Sequence, residues 1–267
     1  MKEQLDTIIS DLQASMGRGA PESANLSENI TGLGTPGYAI IGTGMMGREH
    51  IRAILQLKQA RIVGIFDEDT GSVNRALREF TRSGHEAPAV YTDLDNLTND
   101  DRVDAILICT PNFTHRQVFD AVKHTGKPIF LEKPMATTLE DAIYLAEASL
   151  SYPSSILLGM QYRYKSQYQL ALSAINNGDV GSVKMISLCE YRPAFLPKVK
   201  EWNKFAVYSG GTLVEKCCHF FDLMRLLLKS EPIRIYASGN QAVNHLNEIY
   251  DGKKSDIWDN AYVTIDF

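Results

Sequence analysis

Apolar residues along the chain fall into two kinds of run that alternate. Short, nearly continuous apolar stretches at 38–41, 61–66, 104–109, 128–131 and 155–159 have the length and continuity of strands buried on both faces. Between them, at 46–58, 72–82, 115–124 and 139–149, apolar positions recur at helical spacing. Strict alternation of this sort predicts an α/β fold, a doubly wound parallel sheet with helices on both faces. Beyond about residue 161 the character changes. A helix is expected over 167–177, ending at Asn177-Gly178, then a longer alternating strand over 182–192, a helical run over 211–228, and strands over 233–239 and 261–267. This second pattern predicts an α+β domain with a more antiparallel sheet, and the last run, stopping in mid-strand, reads as a C-terminally truncated domain. Ahead of the first strand, residues 1–36 hold one weak amphipathic stretch (Leu5, Ile8, Ile9, Leu12) and a run rich in Gly, Ser, Asn and Pro, which reads as a flexible tail.

With 44% hydrophobic and 22% charged residues over 267 positions, the chain has the composition of a globular protein with a sizeable core. A formal net charge of −5 and no clustered basic face argue against nucleic acid or an anionic membrane as a partner. Nothing approaches the roughly 20 apolar residues of a membrane span, and MKEQLDTIIS lacks the features of a secretory signal. Four scattered cysteines (Cys109, Cys189, Cys217, Cys218) make no disulfide framework. A reducing, cytoplasmic setting is expected.

The most informative motif is Gly42-Thr43-Gly44-Met45-Met46-Gly47, which directly follows the first strand and opens the first helix. In that context the three glycines serve different ends. Gly42 makes the tight turn, Gly44 lets the backbone approach a pyrophosphate closely, and Gly47 lets the helix pack on the strand. The phosphates would sit on the helix N-terminus, where free N–H groups and the dipole favour an anion. Asp67 ends the second strand at the roughly 20-residue spacing of an acid that accepts hydrogen bonds from a ribose. A carboxylate about 4 Å from a 2′-phosphate costs up to a few kcal/mol at an effective dielectric of about 20. With no arginine directly after Asp67, NAD is expected rather than NADP. The expected organisation is a tail (1–36), a dinucleotide-binding Rossmann domain (37–160) and a substrate and oligomerisation domain (161–267).

Further along stand Cys109-Thr110-Pro111-Asn112-Phe113-Thr114-His115, Leu131-Glu132-Lys133-Pro134, and Gly210-Gly211 leading to His219 and Asp222. Together with the glycine run, these resemble the glucose-fructose oxidoreductase/inositol dehydrogenase/rhizopine catabolism family of oxidoreductases, over nearly all of 38–267. The resemblance implies a Rossmann domain followed by an open-faced, mostly antiparallel sheet domain that commonly serves as an interface between copies, so a homo-oligomer is expected. It implies hydride transfer between a nicotinamide and the carbinol carbon of a sugar, polyol or related cyclic compound. It also implies that Lys133 and His219 line the reacting carbon, that Thr110, Pro111 and Asn112 line the path of the nicotinamide ribose, that Glu132 and Lys133 are among the cofactor-binding residues, and that Arg163 lies near the nicotinamide or the domain junction.

The chemistry of these residue types agrees. Oxidation of a secondary alcohol requires loss of the hydroxyl proton as hydride leaves, so a placed acid/base is worth about 10² to 10⁴ in rate. Lys133 follows a buried strand at the edge of the sheet where open α/β folds bind ligands, and burial lowers a lysine's pKa. His219 titrates near neutrality. Glu215 stands where the family has an aspartate, four residues before the histidine; on one helix face it would orient the imidazole or bind a substrate hydroxyl. It is one methylene longer than that aspartate, and Lys216-Cys217-Cys218 replaces residues that are commonly small or apolar. Both departures bear on the substrate. His115 is expected near a helix N-terminus, in a capping or a cofactor-contacting role. Cys217-Cys218-His219 lacks zinc spacing, so no metal site is expected. The alternative to an enzyme is a non-catalytic NAD(P)-binding sensor of the same fold.

Overall fold

The computed structural model describes residues 34–267, so the amphipathic stretch and nearly all of the tail expected over 1–36 lie outside the described residues. The chain divides into two compact units, the first reaching Thr110 and continuing over 114–131 and 138–157. The second comprises 111–113, 132–137 and 158–267.

In the first unit the order is β1 (Gly37–Ile41), α1 (Met45–Ile54), β2 (Arg61–Phe66), α2 (Thr70–Ser83), β3 (Ala89–Val90), α3 (Leu94–Thr98), β4 (Ala105–Ile108), α4 (His115–Val122), β5 (Ile129–Leu131), α5 (Leu139–Ser151) and β6 (Ile156–Leu158). The strands form one six-stranded sheet in the order β3-β2-β1-β4-β5-β6. β1 lies parallel to β2 and β4, β2 to β3, and β4 to β5. That is the Rossmann order, and the chain reverses direction across the sheet between β1 and β4. Ile40 of β1, Ile65 of β2 and Leu107 of β4 are buried against Ile51 and Ile54 of α1 and Val73, Ala76 and Phe80 of α2. The spacing of the α2 residues puts them on one face of the helix. Asp69 caps α2 by accepting from the Ser72 N–H at 2.7 Å, and Gly84 ends it in the left-handed region at φ 72°. α1 stops short of the expected residue 58 because the Gln56 and Leu57 amides bond to Ala53 and Ile54, tightening the last turn. β3 and α3 escaped the sequence pattern because two and five residues are too short for a period to register.

The second unit departs further from expectation. It contains α6 (Ser166–Asn176), α7 (Ala206–Ser209), α8 (Gly211–Glu215), α9 (Cys218–Leu228) and two antiparallel pairs: β7 (Arg234–Asn240) with β10 (Asn260–Asp266), and β8 (Ile249–Tyr250) with β9 (Lys253–Lys254). Residues 182–192 do not form the predicted strand. Their alternation reflects coverage on one side, since Ile186 and Leu188 pack against Tyr162, Leu223 and Leu227 while Met185 and Tyr191 stay exposed. Alternation reports burial; a strand also needs a backbone partner, and among the described residues this segment has none. The helix predicted over 211–228 is broken at Lys216-Cys217, with consequences for the site.

Among the described residues, no helix is long and apolar enough to cross a membrane.

Candidate active site

The first unit holds the glycine turn. Gly42 sits at φ +90°, and a Cβ there would meet the Cys109 carbonyl carbon and the Thr110 nitrogen at 2.6 Å. At Gly47 a Cβ would stand 2.0 Å from the Gly42 oxygen, so these two glycines let turn, helix and β4 close on one another. Gly44 differs: a Cβ there would meet nothing within 4 Å. Its open side lies at the start of α1, which has neither a side-chain cap nor an acidic residue in its first turn. Met45 and Met46 are the first residues of α1, so their amides are among the helix's unpaired donors. An uncapped helix start beside an open glycine fits a dinucleotide's pyrophosphate.

Asp67 is brought to this turn from the end of β2. Its Oδ2 accepts from the Thr43 N–H at 2.6 Å and from the Thr43 hydroxyl at 3.1 Å, while Oδ1 accepts from the Asp69 N–H at 2.8 Å. Thr43 is fully buried, so the carboxylate is held at the turn by a fixed donor. Thr110 follows β4, and its carbonyl lies 3.1 Å from Nε2 of the fully buried His115. His115 opens α4, and its ring braces the loop that leads into that helix.

The second unit holds a charge cluster around Glu215. This side chain is 1% exposed, and its carboxylate has Lys216 Nζ at 3.1 Å and Lys198 Nζ at 3.3 Å from Oε1, with Lys133 Nζ at 3.6 Å from Oε2. Oε2 also accepts from Asn112 Nδ2 at 2.6 Å. Asn112, expected to line a cofactor path, commits its amide N–H groups to Glu215 and to the Ser209 carbonyl at 3.2 Å. Burial pushes the Glu215 pKa up, but the three ammoniums and Asn112 outweigh it and hold the group down to about 2. Burial also lowers Lys198 and Lys216, with Glu215 opposing that loss.

Lys133 Nζ donates to the Glu215 carbonyl at 2.8 Å. That carbonyl is available because the helix breaks after Glu215; the first turn of α9 instead runs from the Cys217 carbonyl to the Phe220 and Phe221 amides. The break corrects the expectation that Glu215 and His219 share a helix face. Glu215 does not orient the imidazole. His219 stacks on Tyr162, with centroids 4.2 Å apart and planes 7° from parallel. Its Nδ1 is buried and has no hydrogen-bond partner among the described residues. Burial, reinforced by the Lys133 charge, lowers its pKa to about 4, so the ring is neutral at pH 7.

Arg163 forms a two-point pair with Asp222, at 2.7 Å from Nε and 2.5 Å from Nη2. Glu132 is buried, and its carboxylate accepts from the Lys133 N–H at 3.1 Å. Burial raises Cys217 and takes Cys218 up to about 11, so both are thiols at neutral pH. Lys198, which no sequence motif marks, is the main addition. Within Leu196-Pro197-Lys198-Val199 it has no distinguishing context; only its burial against Glu215 and its seat over the Trp202 ring at 4.2 Å single it out.

A parallel sheet in this strand order, with a glycine turn where the order reverses and an acid at the end of the second strand, defines a dinucleotide-binding fold. The chain belongs to the glucose-fructose oxidoreductase/inositol dehydrogenase/rhizopine catabolism family. Residues 37–152 match the family's sequence profile described as "Oxidoreductase family, NAD-binding Rossmann fold", and residues 173–267 match "Oxidoreductase family, C-terminal alpha/beta domain". It is similar to the uncharacterized oxidoreductase YrbE of Bacillus subtilis, 25% identical over 77% of this chain and 57% of that protein. The inositol 2-dehydrogenase of Rhizobium meliloti is 24% identical over 75% of this chain and 57% of its own length. The crystal structure of myo-inositol dehydrogenase from Lactobacillus casei in complex with NAD(H) and myo-inositol superposes with a TM-score of 0.65 at 24% identity, covering 86% of this chain and 63% of that one. This last is a likeness of fold. The chain thus spans about three fifths of the length of these relatives.

Proposed function

We propose that this chain is the nicotinamide-binding and reacting part of an oxidoreductase that moves a hydride to or from the carbinol carbon of a sugar, polyol or related cyclic compound. The observation that carries this reading is the Lys133–Glu215 pair beside a neutral imidazole whose Nδ1 has no hydrogen-bond partner among the described residues. Gly42, Thr43, Gly44, Met45, Met46 and Gly47 hold the pyrophosphate, and Asp67 the adenosine ribose. Thr110 and Pro111 lie along the nicotinamide ribose, with His115 bracing their loop. When bound, the nicotinamide supplies the hydride acceptor or donor. Lys133 donates an N–H to the substrate oxygen and stabilises the negative charge that grows there. His219 takes the hydroxyl proton at Nδ1 during oxidation and returns it during reduction. Glu215 is a positioning residue that fixes Lys133 through its carbonyl and carboxylate. Residues 37–160 serve the cofactor, and 161–267 serve the substrate and pairing between copies.

NAD is preferred because Asp67, held by Thr43, repels a 2′-phosphate. The test is calorimetric titration with NADH and NADPH, followed by a spectrophotometric panel of polyols and sugars. We expect tighter NADH binding, a preference that relaxes in Asp67→Ala, and turnover that falls about 10²- to 10⁴-fold in Lys133→Met with NADH affinity retained. Absence of binding by either dinucleotide to a folded chain would overturn the proposal.

A further inference from the structure

The three lysines that meet at Glu215 outnumber what one acid/base site requires. Lys133, Lys198 and Lys216 place three ammoniums within 3.6 Å of a single carboxylate, and two of them share the same oxygen. Their side chains are 12%, 16% and 21% exposed. The stems are fixed as well as the charges: Lys198 lies over the Trp202 ring and Lys216 over the Phe195 ring at 4.8 Å. Other charges of this unit act on the same place. Glu132 acts on Lys198 and His219 with negative sign, Lys165 acts on His219 with positive sign, and Asp222 is already matched by Arg163.

Lys133, Lys198 and Lys216 against Glu132 and Glu215 leave a positive excess, and Lys133 also acts on the imidazole of His219, whose Nδ1 has no hydrogen-bond partner among the described residues. Burying ammoniums without matched countercharge is unfavourable, and a second anion offsets that cost. A carboxylate supplies one negative charge and two oxygens spaced for two lysine donors. A phosphate monoester brings about two charges and a bulkier, three-oxygen group.

We propose that the substrate of this site is an acid, a sugar- or polyol-derived carboxylate whose anionic group is held by Lys198 and Lys216 while Lys133 and His219 address the carbinol carbon. This rests on the oxidoreductase reading and narrows it. Glu215 then serves as the shared counter-ion that keeps the lysines together before substrate arrives. Lys198 and Lys216 set specificity, and Lys133 remains with the reacting oxygen.

The experiment is calorimetric titration of the full chain, saturated with NADH, with matched probes: D-glucose, D-glucuronate, D-gluconate and D-glucose 6-phosphate. At least one acid is expected to bind 10-fold or more tighter than glucose, with that advantage shrinking as salt is raised. Lys198→Met and Lys216→Met should each reduce the advantage to about 3-fold or less, while Lys198→Arg and Lys216→Arg, which keep the charge, should retain most of it. Equal affinity for acid and neutral sugar, an advantage that survives both methionine variants, or tightest binding by the phosphate would overturn the proposal. So would failure of both acids to bind. NADH binding and turnover of neutral polyols are read in the same samples, so loss of the acid preference alone leaves the oxidoreductase reading standing.

Discussion

The glycine turn of the first unit and the lysine cluster of the second reach a defined geometry by different physics. At Gly42 and Gly47 the absence of a Cβ lets backbone approach backbone at distances no side chain tolerates, and the buried apolar residues of β1, β2, β4, α1 and α2 hold that arrangement. That close approach is set by backbone contact rather than by charge. Around Glu215 the geometry is a balance of charges in a buried setting, where removing one partner exposes the repulsion among those that remain. The first kind of site is steep in shape and flat in pH; the second is the reverse.

Replacing Glu215 by Gln tests this most severely. It keeps the shape and removes the carboxylate that pairs directly with Lys133, Lys198 and Lys216. We expect a loss of about 3 to 5 kcal/mol in chemical denaturation, partly restored by Lys198→Met in the same chain. A change below about 1 kcal/mol would show that the lysines are solvated or already neutral, and the comparison would fail.

Two glycines of the same turn should behave unequally. Gly47→Ala drives a Cβ to 2.0 Å from the Gly42 oxygen and should cost about 1 to 3 kcal/mol, read in a thermal melt. Gly44→Ala, with nothing within 4 Å, should leave stability within about 0.5 kcal/mol and weaken NADH binding about 10-fold. Equal melting losses for both would remove the distinction between a closing glycine and a ligand-facing one.

The pH dependence should separate the regions with the smallest signal. His219 is lowered from 6.5 to about 4 in the fold, so between those values the unfolded chain binds the extra proton. Stability is therefore complete above pH 6.5 and falls toward pH 4, at no more than about 1.4 kcal/mol per unit from this group. Glu215, lowered from 4.5 to about 2, continues the loss as pH falls through that lower window. Denaturation curves across pH should show the upper slope reduced in His219→Phe and unchanged in Gly44→Ala. An upper slope identical in wild type and His219→Phe would mean that the imidazole titrates freely in the fold.

Much of the first unit was legible along the chain. The apolar runs of β1, β2, β4 and β5 are continuous because both faces of those strands are covered, and α2 and α5 carry clear helical spacing with Asp69 and Thr138 as caps. The glycine run, Asp67, Lys133 and His219 were also visible, since each stands at a fixed offset from a strand or within a short motif. The second unit was read less well. The 182–192 segment alternates without pairing, the 211–228 helix breaks without a proline to announce it, and Lys198 looks like any loop lysine. Arg163 and Asp222 stood out singly, but their pairing across 59 residues did not.

The amino-acid sequence by itself determined the periodicities, the strand-to-helix turn with its glycines, and the family to which they belong, because these depend on neighbours a few residues apart. Only the tertiary structure decided which charges meet. Asn112, Lys133, Lys198 and Glu215 come from four separate stretches of chain. Tertiary contact also decided that the Glu215 carbonyl receives Lys133, that His219 stays neutral, and that Asp67 rests on the Thr43 amide. Charge strength and protonation follow from burial and from partners distant in sequence, and these exist only once the chain has folded.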